Sequence, residues 1–225
     1  MSESLNILLA ELHAYREANW SPAALKVNID QRATLVKEAA RRRFVQPGDR
    51  VAPFSLVDVE GGSLTLSDLT ASGPAVLVFF RFAGCPACNI ALPYYNRRLA
   101  PRLAALGVPL VGVSPQRPEK LVDIKRHHAL DFTIATDVGG ALGRRFDILY
   151  EFDEPSKQAA AASGASPGDI TGADAWELPQ PAAIVIDRDH IVRFADVSPD
   201  WLKRSEAPDV IGAVEAVLAG ASKAA

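Results

Sequence analysis

The chain has 225 residues, 48% of them apolar and 23% charged, with 24 Lys and Arg against 27 Asp and Glu for a formal net charge of −3. That length is ample for a buried core in one domain of ordinary size, and the composition excludes collagen-like, disordered and coiled-coil classes. The charge balance gives no general pull toward nucleic acid or an anionic membrane, so neither is expected as a partner. The longest apolar run, Ala75-Val76-Leu77-Val78-Phe79-Phe80, falls far short of the roughly 18 residues of a membrane span and reads as a buried strand. The start Met1-Ser2-Glu3-Ser4 lacks a basic region, and Leu5, Leu8, Leu9 and Leu12 recur at helical spacing instead of forming a signal core. A cytoplasmic protein is expected.

In chain order, residues 1–46 read as a helical extension. Its first stripe ends near Tyr15, Ser21-Pro22 offers an N-cap with proline at the first helical position, and a second stretch runs from about Asp30 to Phe44. The cluster Arg41-Arg42-Arg43 suits a helix C-terminus and a solvated face. Pro47-Gly48-Asp49 breaks the helix. Alternating residues around Phe54-Ser55-Leu56 and Ser63-Leu64-Thr65-Leu66 predict a β-hairpin across Gly61-Gly62, followed by a helical turn at Ser67-Asp68-Leu69. The pattern then predicts a strand at 75–80, a helix from about Pro86 to Leu106, a strand at 109–113, and a helix from about Glu119 to His128. After these come a strand at 132–135, a helical turn over 141–146, strands 182–187 and 191–195, and a last helix carrying Val210, Ile211, Val214, Val217 and Leu218. Glu151 to Asp174 has no clear period and reads as a long loop or a short helix plus loop. Strands that alternate with helices indicate an α/β fold over 47–225, with a central sheet covered on both faces.

The two cysteines stand three apart as Cys85-Pro86-Ala87-Cys88. In a reducing compartment such a pair reads as redox chemistry or metal binding before it reads as a structural bridge. A strand ending at Arg81, a tight Phe82-Ala83-Gly84 connection and a helix opening at Pro86 place Cys85 at the N-cap and Cys88 one turn in. Free amides and the helix dipole favour a thiolate there, so Cys85 is expected to be exposed, to titrate below Cys88 and to act as nucleophile, with Cys88 as its partner in a short disulfide. Zinc would need two more Cys or His ligands, and His13, His127, His128 and His190 form no partner motif, so no metal or organic cofactor is expected. Trp176 and Trp201 read as core cover or as lining of a cleft, Tyr94 and Tyr95 as packing residues, and His127-His128 as the close of a helix.

Strand, CxxC and helix, with a proline five residues beyond the second cysteine (Cys88 to Pro93), resemble the active-site segment of the thioredoxin superfamily. Residues 47–218 are similar, more closely, to the peroxiredoxin-like branch of the AhpC/TSA family. The matching segments are Pro47-Gly48-Asp49, Ala52-Pro53-Phe54, Arg81 to Cys88, Val113-Ser114-Pro115, Leu130-Asp131-Phe132 and Val197-Ser198-Pro199-Asp200-Trp201. The resemblance implies a thioredoxin-like mixed sheet and a thiol-dependent peroxidase that takes a peroxide and is reduced by an external, thioredoxin-type dithiol. It places Pro181 where that fold carries a cis-proline facing the cysteines. The PxxxTxxC motif of typical peroxiredoxins is missing, and their arginine beside the final core strand falls near Gln180-Pro181; Arg81, four residues before Cys85, is the candidate replacement. Aligned on the TxxC pattern, the peroxidatic role moves to Cys88. A dithiol-disulfide oxidoreductase and a non-enzymatic redox sensor use the same two residues and remain open, as does a homodimer through the helical extension.

Overall fold

In the computed structural model, which describes residues 3–164, 167–173 and 175–222, the period-3.6 stripes and continuous apolar runs resolve into ten α-helices, a short 3-10 helix at Val138–Gly140 and nine strands. The elements are α1 (Leu5–Asn19), α2 (Pro22–Ala39), β1 (Ser55–Asp58), β2 (Ser63–Thr65), α3 (Leu66–Thr70), β3 (Ala75–Phe79), α4 (Pro86–Arg98), α5 (Ala100–Ala105), β4 (Leu110–Ser114), α6 (Pro118–His127), β5 (Thr133–Thr136), α7 (Ala141–Arg145), β6 (Leu149–Glu151), α8 (Glu154–Ala162), α9 (Pro167–Thr171), β7 (Glu177–Pro179), β8 (Ala182–Ile186), β9 (Val192–Val197) and α10 (Ala207–Ser222). A seven-stranded sheet runs β2-β1-β5-β4-β3-β8-β9, and β6 and β7 form a separate pair. β3, β4 and β5 are mutually parallel, β8 runs antiparallel to β3, and β9 runs antiparallel to β8, so the expected mixed sheet with helices on both faces is present. No helix among the described residues is long and apolar enough to cross a membrane.

Strand alternation sorts the core into two layers. Val76, Val78 and Phe80 face one way with Ala183 and Val185, packing under Leu92 and Leu99, Leu121 and Ile124, and Val210 and Val214. Leu77 and Phe79 face the other way with Val111, Ile184 and Ile186, packing on Leu66, Leu142 and Phe146. Gly112 sits on the first face where an added Cβ would lie 2.7 Å from the Ile134 side chain, so the β4–β5 contact there admits only glycine without a shift.

Several local expectations differ from the structure. The second helix starts at Pro22, because Ser21 caps it through the Ala24 amide, and it stops at Ala39, before the stretch expected to reach Phe44. The long helix from Pro86 breaks at Leu99, one residue before Ala100-Pro101 opens α5, since proline at the first turn of a helix cannot continue the preceding hydrogen-bond ladder. The 151–174 stretch holds α8, capped by Asp153, and α9; Ala165, Ser166 and Asp174 lie outside the described residues. The helical extension docks on the first core layer through Leu5 and Leu9. Glu206 fixes its start: the carboxylate accepts from the Leu5 and Asn6 amides (both 3.0 Å), from Ser4 Oγ (2.6 Å) and from Tyr94 OH (2.7 Å). An anion at a helix N-terminus is favoured by the unpaired amides, and these bonds hold the Glu206 pKa down to about 2 although burial opposes it.

Candidate functional site

Parallel strands β3, β4 and β5 end on the same edge of the sheet, and their C-terminal ends shape the loop before α4. Ser114 Oγ donates to the Arg81 carbonyl (2.8 Å), Gln116 Oε1 accepts from the Ala83 amide (2.7 Å), and Thr136 Oγ1 donates to the Gln116 carbonyl (2.8 Å). From the helix side, Asn89 Nδ2 donates to the carbonyls of Ala83 (2.6 Å) and Cys85 (3.0 Å) while its Oδ1 accepts from His128 Nε2 (2.7 Å). Burial, and then His127, lower the His128 pKa, which favours the neutral ring that this contact needs only as a donor. The 81–85 segment is therefore held from both ends. The helix opens as its sequence predicts, with Cys85 at the N-cap and Pro86 at the first helical position.

Cys85 and Cys88 are both free, with their sulfurs 2.8 Å apart, within reach of an S–H···S hydrogen bond. The expectation of an exposed, low-pKa Cys85 is corrected here. Cys85 is 1% and Cys88 0% exposed, because core residues of the first layer close over the first turn of α4. Burial pushes Cys85 up, and the neighbouring Cys88 pushes it further, leaving it well above the usual thiol range despite Arg81 and Arg204. At Cys88 burial is outweighed by the hydrogen bond from Cys85 and by the Arg204 guanidinium, whose Nη2 lies 3.6 Å from Sγ, so Cys88 falls well below that range. The pair gives up its first proton from Cys88 and keeps the second on Cys85.

Arg204 escaped sequence reasoning altogether. It lies 116 positions from Cys88 in an irregular segment, is 6% exposed, and is held by donation from its Nε to the Trp201 carbonyl (3.1 Å). The only sequence signal was its place three residues after Trp201, just beyond the segment Val197 to Trp201 that resembles the family. Arg81 lies within electrostatic reach of the pair. Burial alone would lower its pKa, but the attraction of Tyr150, Cys85 and Cys88 outweighs this and keeps it charged. Its guanidinium carbon sits 4.5 Å from the Trp201 ring centroid and 5.9 Å from that of Tyr150. Neither Arg81 nor Arg204 has a carboxylate partner among the described residues, so their charge is free to act on sulfur and on whatever meets it.

Pro181 lies at the entry to β8, one residue before the Ala182–Phe79 pairing, and so on the same sheet edge as Arg81. No cis peptide bond occurs among the described residues, so the expected cis bond before Pro181 is corrected: the chain enters β8 in trans, fixed by the Gln180 amide donating to the Ile148 carbonyl (2.8 Å) and the Pro181 carbonyl accepting from the Ser198 amide (2.7 Å). Tyr94 and Tyr95 are packed as expected but also donate hydrogen bonds to Glu206 and to the Ser205 carbonyl, respectively. No group of three or more His, Cys, Asp or Glu placed to hold a metal occurs among the described residues.

Residues 47–195 match the model of the AhpC/TSA family. The chain belongs to that family. It is 30% identical over 108 residues to peroxiredoxin Bcp of Escherichia coli, covering 48% of this chain and 67% of that one. A candidate peroxiredoxin of Mycobacterium tuberculosis is 33% identical over 92 residues, 40% of this chain and 57% of the relative, so little more than half of that relative's length is matched. The thiol-disulfide oxidoreductase ResA of Halalkalibacterium halodurans is 31% identical over 103 residues, 44% of this chain and 56% of ResA. Among solved structures, peroxidoxin BcpB of Mycobacterium tuberculosis superposes with a TM-score of 0.59 at 23% identity, over 77% of this chain and 98% of that one. PrxQ of Xylella fastidiosa gives 0.59 at 17% identity over 78% and 98%. These superpositions establish the thioredoxin-like fold. The family match ends before Trp201 and Arg204 and begins after α2, so part of the site's surroundings lies outside it.

Proposed function

We propose that the chain is a thiol-dependent peroxidase in which Cys88 attacks the peroxide and Cys85 resolves the product. The observation that carries this is the buried Cys88 sulfur, 3.6 Å from an uncompensated Arg204 and 2.8 Å from a second thiol. The Cys88 thiolate attacks one oxygen of ROOH, the O–O bond breaks, and the departing RO⁻ takes a proton to leave as ROH. The sulfenic acid on Cys88 then condenses with the Cys85 thiol, releasing water and closing the disulfide. An external dithiol, of the thioredoxin type that peroxiredoxin relatives suggest, returns both thiols and is itself oxidised. A low pKa alone supplies little rate, since the thiolate fraction cannot exceed one and nucleophilicity falls with pKa. The two arginines contribute what remains, by stabilising charge that develops on the departing oxygen.

A test is single-turnover oxidation of each Cys→Ser variant with a sulfenic-acid trap. Cys85→Ser is expected to consume one equivalent of peroxide and carry the trap on Cys88, while Cys88→Ser stays unreacted; trapping on Cys85 would reverse the roles. The second reading, a dithiol-disulfide oxidoreductase, is favoured by the CxxC itself and by the ResA match. It takes over if the reduced protein meets peroxide no faster than a free thiolate yet exchanges rapidly with protein disulfides.

A further inference from the structure

Outside the cysteine pair, the described residues line a solvent-open cleft of about 700 Å³ whose walls are α2 and α8 and whose floor holds Arg81 and Trp201. Such a volume lies within the range of small-molecule sites. The two walls are fastened to each other, since the buried Gln31 of α2 accepts the Asp153 amide at the head of α8 (2.7 Å). The lining is mostly apolar or neutral, with Val27 on one wall, Ala159 on the other, and stacked Tyr150 and Trp201 rings (5.9 Å) below. Among the described residues that line it, Arg81 is the only charged one. Two lining residues also carry a buried N–H with no protein acceptor, Arg81 Nε and Trp201 Nε1. The same Arg81 is in electrostatic contact with both cysteines.

An aromatic and aliphatic cleft with one cation and spare donors at its base, and no carboxylate among the described residues, suits a ligand with an apolar body and an oxygen-bearing head. We infer that this cavity, built by the N-terminal helices and α8, holds the organic part of a bulky hydroperoxide while its O–O head meets Arg81, so the extension sets substrate preference. The inference rests on the peroxidase reading for the head and on the cavity alone for the body. A peroxide without an organic body, such as hydrogen peroxide, gains nothing from these walls.

The test uses the full chain, with cumene hydroperoxide and hydrogen peroxide as substrates and 2-phenylpropan-2-ol, the unreactive product alcohol, as a calorimetric binding probe. Val27→Phe and Ala159→Phe each fill part of the chamber from a different helix. Both are expected to lower the ratio of kcat/KM for cumene hydroperoxide to that for hydrogen peroxide by about tenfold, mainly through KM, and to weaken alcohol binding. If hydrogen peroxide is consumed but neither variant moves the ratio and the alcohol does not bind, the cavity inference is overturned and the peroxidase reading stands. If no peroxide is consumed yet the alcohol binds the unsubstituted protein and not the variants, the peroxidase reading fails and the hydroperoxide assignment falls with it.

Discussion

Both faces of the sheet carry a buried apolar layer, and they differ in what their polar groups do. On the face formed by Leu77, Val111 and Ile184, buried polar groups close local turns: Asp137 accepts the amides of Leu142 and Gly143 five and six residues on, and Thr70 donates to the Leu66 carbonyl. On the face formed by Val76, Val78 and Phe80 polar groups reach across the chain: buried Arg204 donates to Cys88, half-buried Glu206 accepts from Ser4, and buried Gln31 accepts the Asp153 amide. A local bond satisfies a group that the backbone would expose anyway. A distant one holds a charge or thiol inside the core at a desolvation cost, which is kept where chemistry requires it.

If that contrast is right, substitutions on the two faces fail differently. The largest effect belongs to Cys88→Ser, which removes peroxide consumption, followed by Arg204→Met, which is expected to slow peroxide attack by about 10²–10³-fold at neutral pH, on the scale of losing one donor to a developing oxyanion. The same variant raises the Cys88 pKa. The sign for stability follows: Cys88 is depressed in the folded state, so its contribution is complete above the free-thiol range near 8.5 and is lost as pH falls through the folded value. Arg204→Met should flatten that dependence in chemical denaturation across pH. On the opposite face Leu77→Ala is expected to cost about 2–5 kcal/mol in denaturant unfolding while leaving the thiol titration where it was. A shift of the Cys88 titration in that variant would erase the distinction between the faces.

The elements of the sheet were legible because apolar runs such as 75–80 and 182–186 read as buried strands, and Pro86 marked the start of the helix that carries the cysteines. The Cys85–Cys88 pair and Arg81 could be named for the same local reason. What escaped is long-range. Helix-terminus electrostatics argue for Cys85 when the helix end faces water, and the sequence holds no sign that core residues bury it. Nothing around position 204 announces that its guanidinium lands on a thiol more than a hundred residues away. β6 and β7 are three residues each, too short to show a period, and the cavity beside them exists only once α2 and α8 are docked.

A smaller effect concerns the anchor of the extension. Glu206 is held down to about 2, so its contribution is complete above the ordinary carboxylate value near 4.3 and is lost as pH falls toward about 2. Glu206→Gln should cost about 1 kcal/mol or less at neutral pH and make the acid dependence of stability shallower between those values. Equal acid profiles for the two proteins would show that the α1 start is held by packing alone.

The order of the two thiols is the claim on which the mechanism turns, and titration of ultraviolet thiolate absorbance in the two single Cys→Ser variants reads it directly. Cys85→Ser, which retains Cys88 beside Arg204, is predicted to ionise below the free-thiol value of about 8.5, and Cys88→Ser, which retains Cys85, above it. The reverse order would contradict the account and return the attack on peroxide to Cys85.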